Sequence, residues 1–199
     1  MRALLLVVLV GCAAVPPRDT SGRWPEKADD YEATTEAWTV KGGFRDKYQE
    51  IVEVSAVFKS PQWRAARGNR DAYFRGLEGA AREQVMSQAR ADSEGPYEIE
   101  LLVTTWDRRE NDFDRGKNSV WTVRLIDDQG NEIAPLEIVK DKRPSFTLRS
   151  DYPAYGDFAI AYVARFPRDK PVLGEGIKKI RLRISSVRGF VELAWTDQK

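Results

Sequence analysis

The densest run of potential ligand atoms in this sequence is Asp107-Arg108-Arg109-Glu110-Asn111-Asp112-Phe113-Asp114-Arg115-Gly116, which gathers several oxygen donors in one segment. Calcium takes roughly six to eight oxygens and is often held by such loops. The spacing is not that of an EF-hand loop, however, no glutamate stands at its closing position, and three arginines sit among the acids. The segment reads as local charge pairing on a solvated loop, with no metal or other cofactor assigned. A second candidate is Lys179, Arg181 and Arg183, which a period of two places on one face of a strand, within reach of an anionic surface. Pairing with an acidic row such as Glu98 and Glu100 accounts for the same stripe and is the reading we prefer. The third candidate is the stretch from Pro144 to Gly156, where Phe146, Tyr152 and Tyr155 stand among prolines at strand ends. Tyr152 and Tyr155 are the residues we expect to contact a partner, with packing of the domain end as the alternative.

What is missing narrows the chemistry further. The chain has no histidine and one cysteine, Cys12. Ser-His-Asp hydrolysis, Cys-His chemistry and histidine-ligated zinc are therefore excluded. Glycine-rich phosphate loops and the Gly-x-Ser-x-Gly nucleophile motif do not occur either. Thirty-two basic residues face 31 acidic ones, and removal of Arg2 balances them. A neutral chain lacks the basic footprint that nucleic acid requires, so nucleic acid is not an expected partner.

Arg2 precedes an unbroken apolar run, Ala3 to Val10, that closes on Gly11 and Cys12. That is the layout of a secretory signal, and the run is far short of the ~20 residues a transmembrane helix needs. Leu9-Val10-Gly11-Cys12 resembles the lipobox of bacterial lipoproteins. The resemblance implies a diacylglycerol on the Cys12 sulfur, cleavage just before it, and a second acylation on the new amino group. Two or more chains hold a protein stably where one is marginal. Ala13, rather than Asp, follows the cysteine, which in that family implies the outer membrane, with the domain facing the periplasm. No disulfide can form within the rest of the chain, so its stability must come from core burial.

The remaining elements must position these candidates. Residues 12–35 are rich in proline, charge and small side chains and read as a tether, on the order of 70 Å long if extended at about 3.3 Å per residue. Residues 36–199 are expected to form one domain. In 51–58, Val52, Val54, Ala56 and Phe58 alternate with Glu53 and Ser55, the mark of a half-buried strand. Ser60-Pro61 opens a helical segment over about 61–92, expected to break at Gly68-Asn69. Its second part carries a stripe of Phe74, Leu77, Ala81, Val85 and Ala89 that should lie on a sheet. Gly76 and Gly79 suggest close backbone approach there. Beyond Gly95-Pro96 the chain reads as strands: Tyr97 to Thr104, Trp121 to Leu125, Glu132 to Val139 with Pro135 marking an edge or bulge, Phe158 to Phe166 as a central strand, Ile180 to Ile184, and Val191 to Trp195.

Seven to nine such strands predict a mainly β fold, an antiparallel, immunoglobulin-like β-sandwich with an inserted helical segment. The function expected is that of a non-enzymatic envelope lipoprotein. Its domain would meet a protein or envelope-polymer partner. The alternative is a periplasmic carrier holding a lipid or small hydrophobic ligand between its sheets.

Overall fold

A computed structural model describes residues 14–198; Cys12 and the expected signal lie outside the described residues. In chain order the elements are α1 (Tyr31–Ala37), β1 (Thr39–Asp46), β2 (Gln49–Phe58), α2 (Pro61–Phe74), α3 (Gly79–Glu94), β3 (Tyr97–Thr105), β4 (Thr122–Ile126), β5 (Glu132–Ile133), β6 (Glu137–Lys140), α4 (Ser145–Asp151), β7 (Ile160–Phe166), β8 (Lys179–Ser186) and β9 (Gly189–Thr196). Two 3-10 turns, Arg108–Glu110 and Phe113–Asn118, lie between β3 and β4. All strand pairs are antiparallel. They form a five-stranded sheet, β1-β2-β3-β7-β6, and a four-stranded sheet, β5-β4-β8-β9. The fold is a mainly β sandwich.

Alternation decides which side chains fill it. Val54, Phe58, Ile99, Leu101 and Tyr162 point from the five-stranded sheet toward Leu125, Leu182, Leu193 and Trp195 of the other, and all are buried. Phe58 meets the Trp195 ring edge-on at 5.6 Å, and the Trp195 indole N–H donates to the Trp38 carbonyl at 2.8 Å. At the corner where β1 crosses β9 the approach is close: a Cβ on Gly42 would lie 2.7 Å from Leu193 Cδ2 and could be accommodated only by a shift of that side chain. Pro135 lies where the chain passes from β5 in one sheet to β6 in the other, and both strands are sheet edges, as a residue without an N–H requires.

The other face of the five-stranded sheet is covered as well, by helices as expected, although not by the predicted stripe. Ser55, Val57, Glu100 and Leu102 lie on that face and are buried. α1, α2 and α4 cover them. Trp63 of α2 stacks on Tyr152 at 6.2 Å, and Tyr31 of α1 packs against Trp63 at 5.8 Å. The helical segment begins where predicted, with Ser60 Oγ accepting from the Trp63 N–H at 3.1 Å and Pro61 in the first turn.

Its break falls elsewhere. α2 runs through Gly68 to Phe74, and the turn comes at Gly76 and Gly79, with φ of +60° and +51°. The glycine roles are thus the reverse of those expected. Gly76 and Gly79 supply left-handed backbone with open space around them, whereas Gly68 provides the close approach: a Cβ there would lie 3.2 Å from both Ala89 Cβ and Met86 Sδ of α3. The predicted stripe does not reach the sheet: Phe74 is exposed, and Val85 and Ala89 are half-buried against α2. α3 packs on a helix that packs on a sheet, and Ser93 is its one buried residue among those described.

The tether expectation also needs correcting. Of the described part, Tyr31, Ala33, Thr34 and Thr35 are buried in or beside α1, which Asp30 caps by accepting from the Ala33 N–H at 2.9 Å. Upstream, the Thr20 hydroxyl donates to the Ile177 carbonyl, the Gly174 N–H donates to the Thr20 carbonyl at 2.9 Å, and the Gln198 N–H donates to the Arg18 carbonyl at 3.1 Å. Gln62 of α2 donates to the Pro17 carbonyl at 3.2 Å. This segment is part of the domain. It looked like a linker because its attachment uses backbone groups and short polar side chains, which leave no apolar period to read.

Candidate functional site

Tyr152, predicted to meet a partner, is 1% exposed and cannot do so. The geometry explains why. It follows α4, its ring lies between Trp63 and the Arg143 guanidinium, 5.6 Å from the ring centre, and its hydroxyl donates to Glu100 Oε2 at 3.1 Å. Tyr155 is half-buried against the core, so the pair belongs to the packing of the domain end.

Around Tyr152 lies a network of buried charge. Lys59 Nζ sits 3.0 Å from Glu100 and 3.6 Å from Glu98, and Arg64 and Arg165 also grip Glu98, at 3.0 and 2.8 Å. Asp151 takes Arg67, Arg70 and Arg143 at 2.8, 3.0 and 2.5 Å, tying α2 to the segment around α4. Burial would raise the Glu98 pKa, but Lys59, Arg165 and Arg64 overcome it and hold the carboxyl at about 2. Glu100 goes the other way: burial pushes its pKa up, and Lys59 only partly offsets that. Asp141 is lowered, because its bonds from Arg143 outweigh burial. Such divided carboxylates in a cleft can signal acid-base catalysis. Here Glu100 has no exposed surface and lies beneath Lys59 and Tyr152, so no substrate atom can reach it. The network braces the helices on the sheet.

The other two candidates are also internal or paired. In the 107–116 segment Asp107 accepts from Arg109 at 2.8 Å, and Asp112 accepts from the Ser119 hydroxyl at 2.9 Å. Asn111 is buried, donating to the Val103 carbonyl at 2.9 Å and accepting from the Tyr162 hydroxyl at 2.9 Å, while Phe113 stacks on Trp121 at 5.4 Å. The segment closes one end of the sandwich; Asp107 pairs locally with Arg109, whereas Glu110 reaches Arg188 in the β8–β9 turn and Asp114 lies 3.6 Å from Lys140 of β6. Among the described residues no three Asp or Glu side chains gather as a metal site would need. In the basic stripe, Arg183 pairs with Glu132 at 2.7 Å and Glu192 at 3.2 Å, and Arg181 with Glu192 at 3.5 Å. These acids stand on β5 and β9. Glu98 and Glu100 lie in the opposite sheet and play no part.

One surface with unspent binding capacity is a groove that sequence reasoning missed. Where the helices stop short of covering the five-stranded sheet, a groove of about 560 Å³ opens at the ends of β2, β3 and β7. Trp106 and Phe158 line it with 67% and 71% of their surface exposed. Its floor is the cross-strand pair Glu53 and Thr104, with Glu50 and Asp157 at the sides. Trp106 is held in place by the ladder, its N–H donating to the Ile51 carbonyl at 3.2 Å, and by the turn that follows, where the Thr105 hydroxyl donates to the Asp107 carbonyl at 2.9 Å. Arg108 lies over Phe158 at 5.8 Å. Trp106 continues the outward phase of Glu100, Leu102 and Thr104, and a large aromatic at the solvent phase of an alternating strand was the available signal. No family model matches the chain, and comparison with curated proteins and with solved structures finds no match.

Proposed function

We propose that this protein is a non-enzymatic interaction or assembly module of a bacterial envelope, held to the membrane through lipid on Cys12 and facing the periplasm from the outer membrane, and that it engages its protein or envelope-polymer partner in the Trp106–Phe158 groove. The observation that carries this reading is the exposure of two large aromatics in one groove, with Trp106 tied to β2 through its backbone N–H. Exposed aromatics of this kind are the residues that dominate binding surfaces. The carrier alternative has less in its favour, because Trp38, Phe58, Tyr162, Phe166 and Trp195 occupy the space between the sheets where a ligand would lie.

The attachment of Arg18 and Thr20 to the domain gives the reading a dimension. Only about six residues separate Cys12 from Arg18, a maximum of roughly 20 Å at about 3.3 Å per residue. The end of the domain where β2 finishes and β3 begins is therefore held close to the membrane, and the groove opens at the opposite ends of these strands. The experiment has two arms. Cys12→Ser should abolish membrane association with the domain still folded, and intact mass should show acyl groups on the native protein but not on the variant. Trp106→Ala with Phe158→Ala should leave the thermal midpoint within a degree or two and abolish crosslinking to the native partner in intact envelopes. A mature protein without acyl mass ends the lipoprotein reading, and unchanged crosslinking ends the groove reading.

A further inference from the structure

We propose that the Trp106–Phe158 groove is a saccharide-binding site whose ligand is an uncharged or amine-bearing polysaccharide chain. This rests on the groove being the binding surface and adds the chemical class of what it binds.

The groove's composition selects among ligands. The centre of a protein–protein interface is depleted of charged residues, Asp and Glu among them. Here Glu50, Glu53 and Asp157 share the groove with Thr104, and Glu53 and Thr104 form its floor, directly opposite each other across β2 and β3. A protein partner would have to desolvate those carboxylates and find donors for each one. A sugar brings such donors on every ring. Its hydroxyl rim presents O–H groups to carboxylate and threonine oxygens, and the C–H face of the same ring packs on an aromatic plane. Trp106 and Phe158 provide two such planes, and the Arg108 guanidinium adds donors for ring and hydroxyl oxygens.

Charge narrows the class further. Of the three carboxylates lining the groove, Glu53 is the one that enters no ion pair among the described residues, and it offers a protonated amine a partner. Some of that charge is already engaged, with Asp157 accepting from Arg149 at 2.5 Å and Glu50 lying 3.6 Å from Arg45. Glu53 stands on the floor between them. The groove is open to solvent, so rings beyond the one it holds can extend outside it.

The probes are a hexamer of glucosamine and a hexamer of N-acetylglucosamine, titrated against the full chain in detergent with intrinsic fluorescence as the readout. Trp38, Trp63, Trp121 and Trp195 are buried and Trp24 lies half-buried outside the groove, so a spectral change that disappears in Trp106→Phe reports the groove. At least one hexamer should bind saturably, and Trp106→Ala should weaken it about tenfold or more with the thermal midpoint unchanged. Glu53→Gln should weaken the glucosamine hexamer several-fold in a salt-sensitive manner and leave the N-acetyl hexamer within twofold. If neither hexamer binds while Trp106→Ala still abolishes crosslinking in envelopes, the saccharide assignment is overturned and the groove stands. If both fail, both readings are wrong. Binding that survives Trp106→Ala and Phe158→Ala places the sugar elsewhere and also overturns the assignment.

Discussion

Tyr152 and Glu100 show how far a residue's role depends on what folds over it. In the sequence Tyr152 is an aromatic beside a proline; in the fold it joins α2, β3 and the segment before α4 through one ring and one hydroxyl. Tyr152→Ala should cost about 3–5 kcal/mol, as loss of large buried aromatics does, and denaturant titration will read it directly. Glu100 makes a pH prediction. Its folded pKa is raised, so the stability its protonated form contributes is complete below the unfolded value near 4.5 and is lost as pH rises through the folded value. Glu100→Gln mimics the protonated form, so its stability relative to the native protein should improve from pH 5 to pH 8. Glu98 has the opposite sign: held at about 2, it contributes stability above pH 4.5 that is lost as pH falls toward 2. Neither assignment was legible beforehand, because Glu98 and Glu100 alternate with Tyr97, Ile99 and Leu101 as any solvent-facing acids would. Trp106 is different; its phase on β3 could have been read.

At the scale of elements, legibility followed periodicity. β2, β3, β4, β7, β8 and β9 were each announced by alternation or by a continuous apolar run, and the start of α2 by its capping serine and proline. The lie of α3 was not, since a stripe of Val85 and Ala89 that packs on a helix has the same period as one that packs on a sheet. β1 carries a sharper test. A Cβ on Gly43 would collide with the Val52 carbonyl oxygen, part of the neighbouring backbone, whereas a Cβ on Gly42 meets the tips of Leu193 and Val191, which can rotate away. Gly43→Ala should therefore destabilise by about 1–3 kcal/mol and Gly42→Ala by less, measured by thermal denaturation of the pair. A reversed order would mean that the two sheets cannot slide apart at the β1–β9 corner and that β1 can shift against β2.

For the whole molecule, the decisive fact is that the domain begins well before residue 36. A chain starting at Thr35 loses the buried Tyr31, whose hydroxyl donates to the Asp151 carbonyl at 2.7 Å, and the buried Thr20 and Thr34. Truncation there should lower the thermal midpoint by about 10 °C or more, given a loss of several kcal/mol, whereas a chain starting at Ala14 should melt like the native protein. These contacts join residues more than 100 positions apart, Tyr31 with Asp151, Arg18 with Gln198 and Thr20 with Asp197, and no local pattern encodes them.

Those same contacts define a path for mechanical load. With Cys12 as the proposed anchor, any pull between membrane and partner enters the domain at Pro17, Arg18 and Thr20, and is borne by a handful of hydrogen bonds to Gln62, Gly174, Ile177, Asp197 and Gln198. Each has a net worth of only about 0.5–1.5 kcal/mol, so they would part long before either sheet is stressed. Their release frees the chain between Arg18 and Asp30, letting out a further ~40 Å at about 3.3 Å per residue before α1 is loaded. The segment would then behave as a folded reserve of length: short at rest, extensible under tension, and able to refasten when the tension ends.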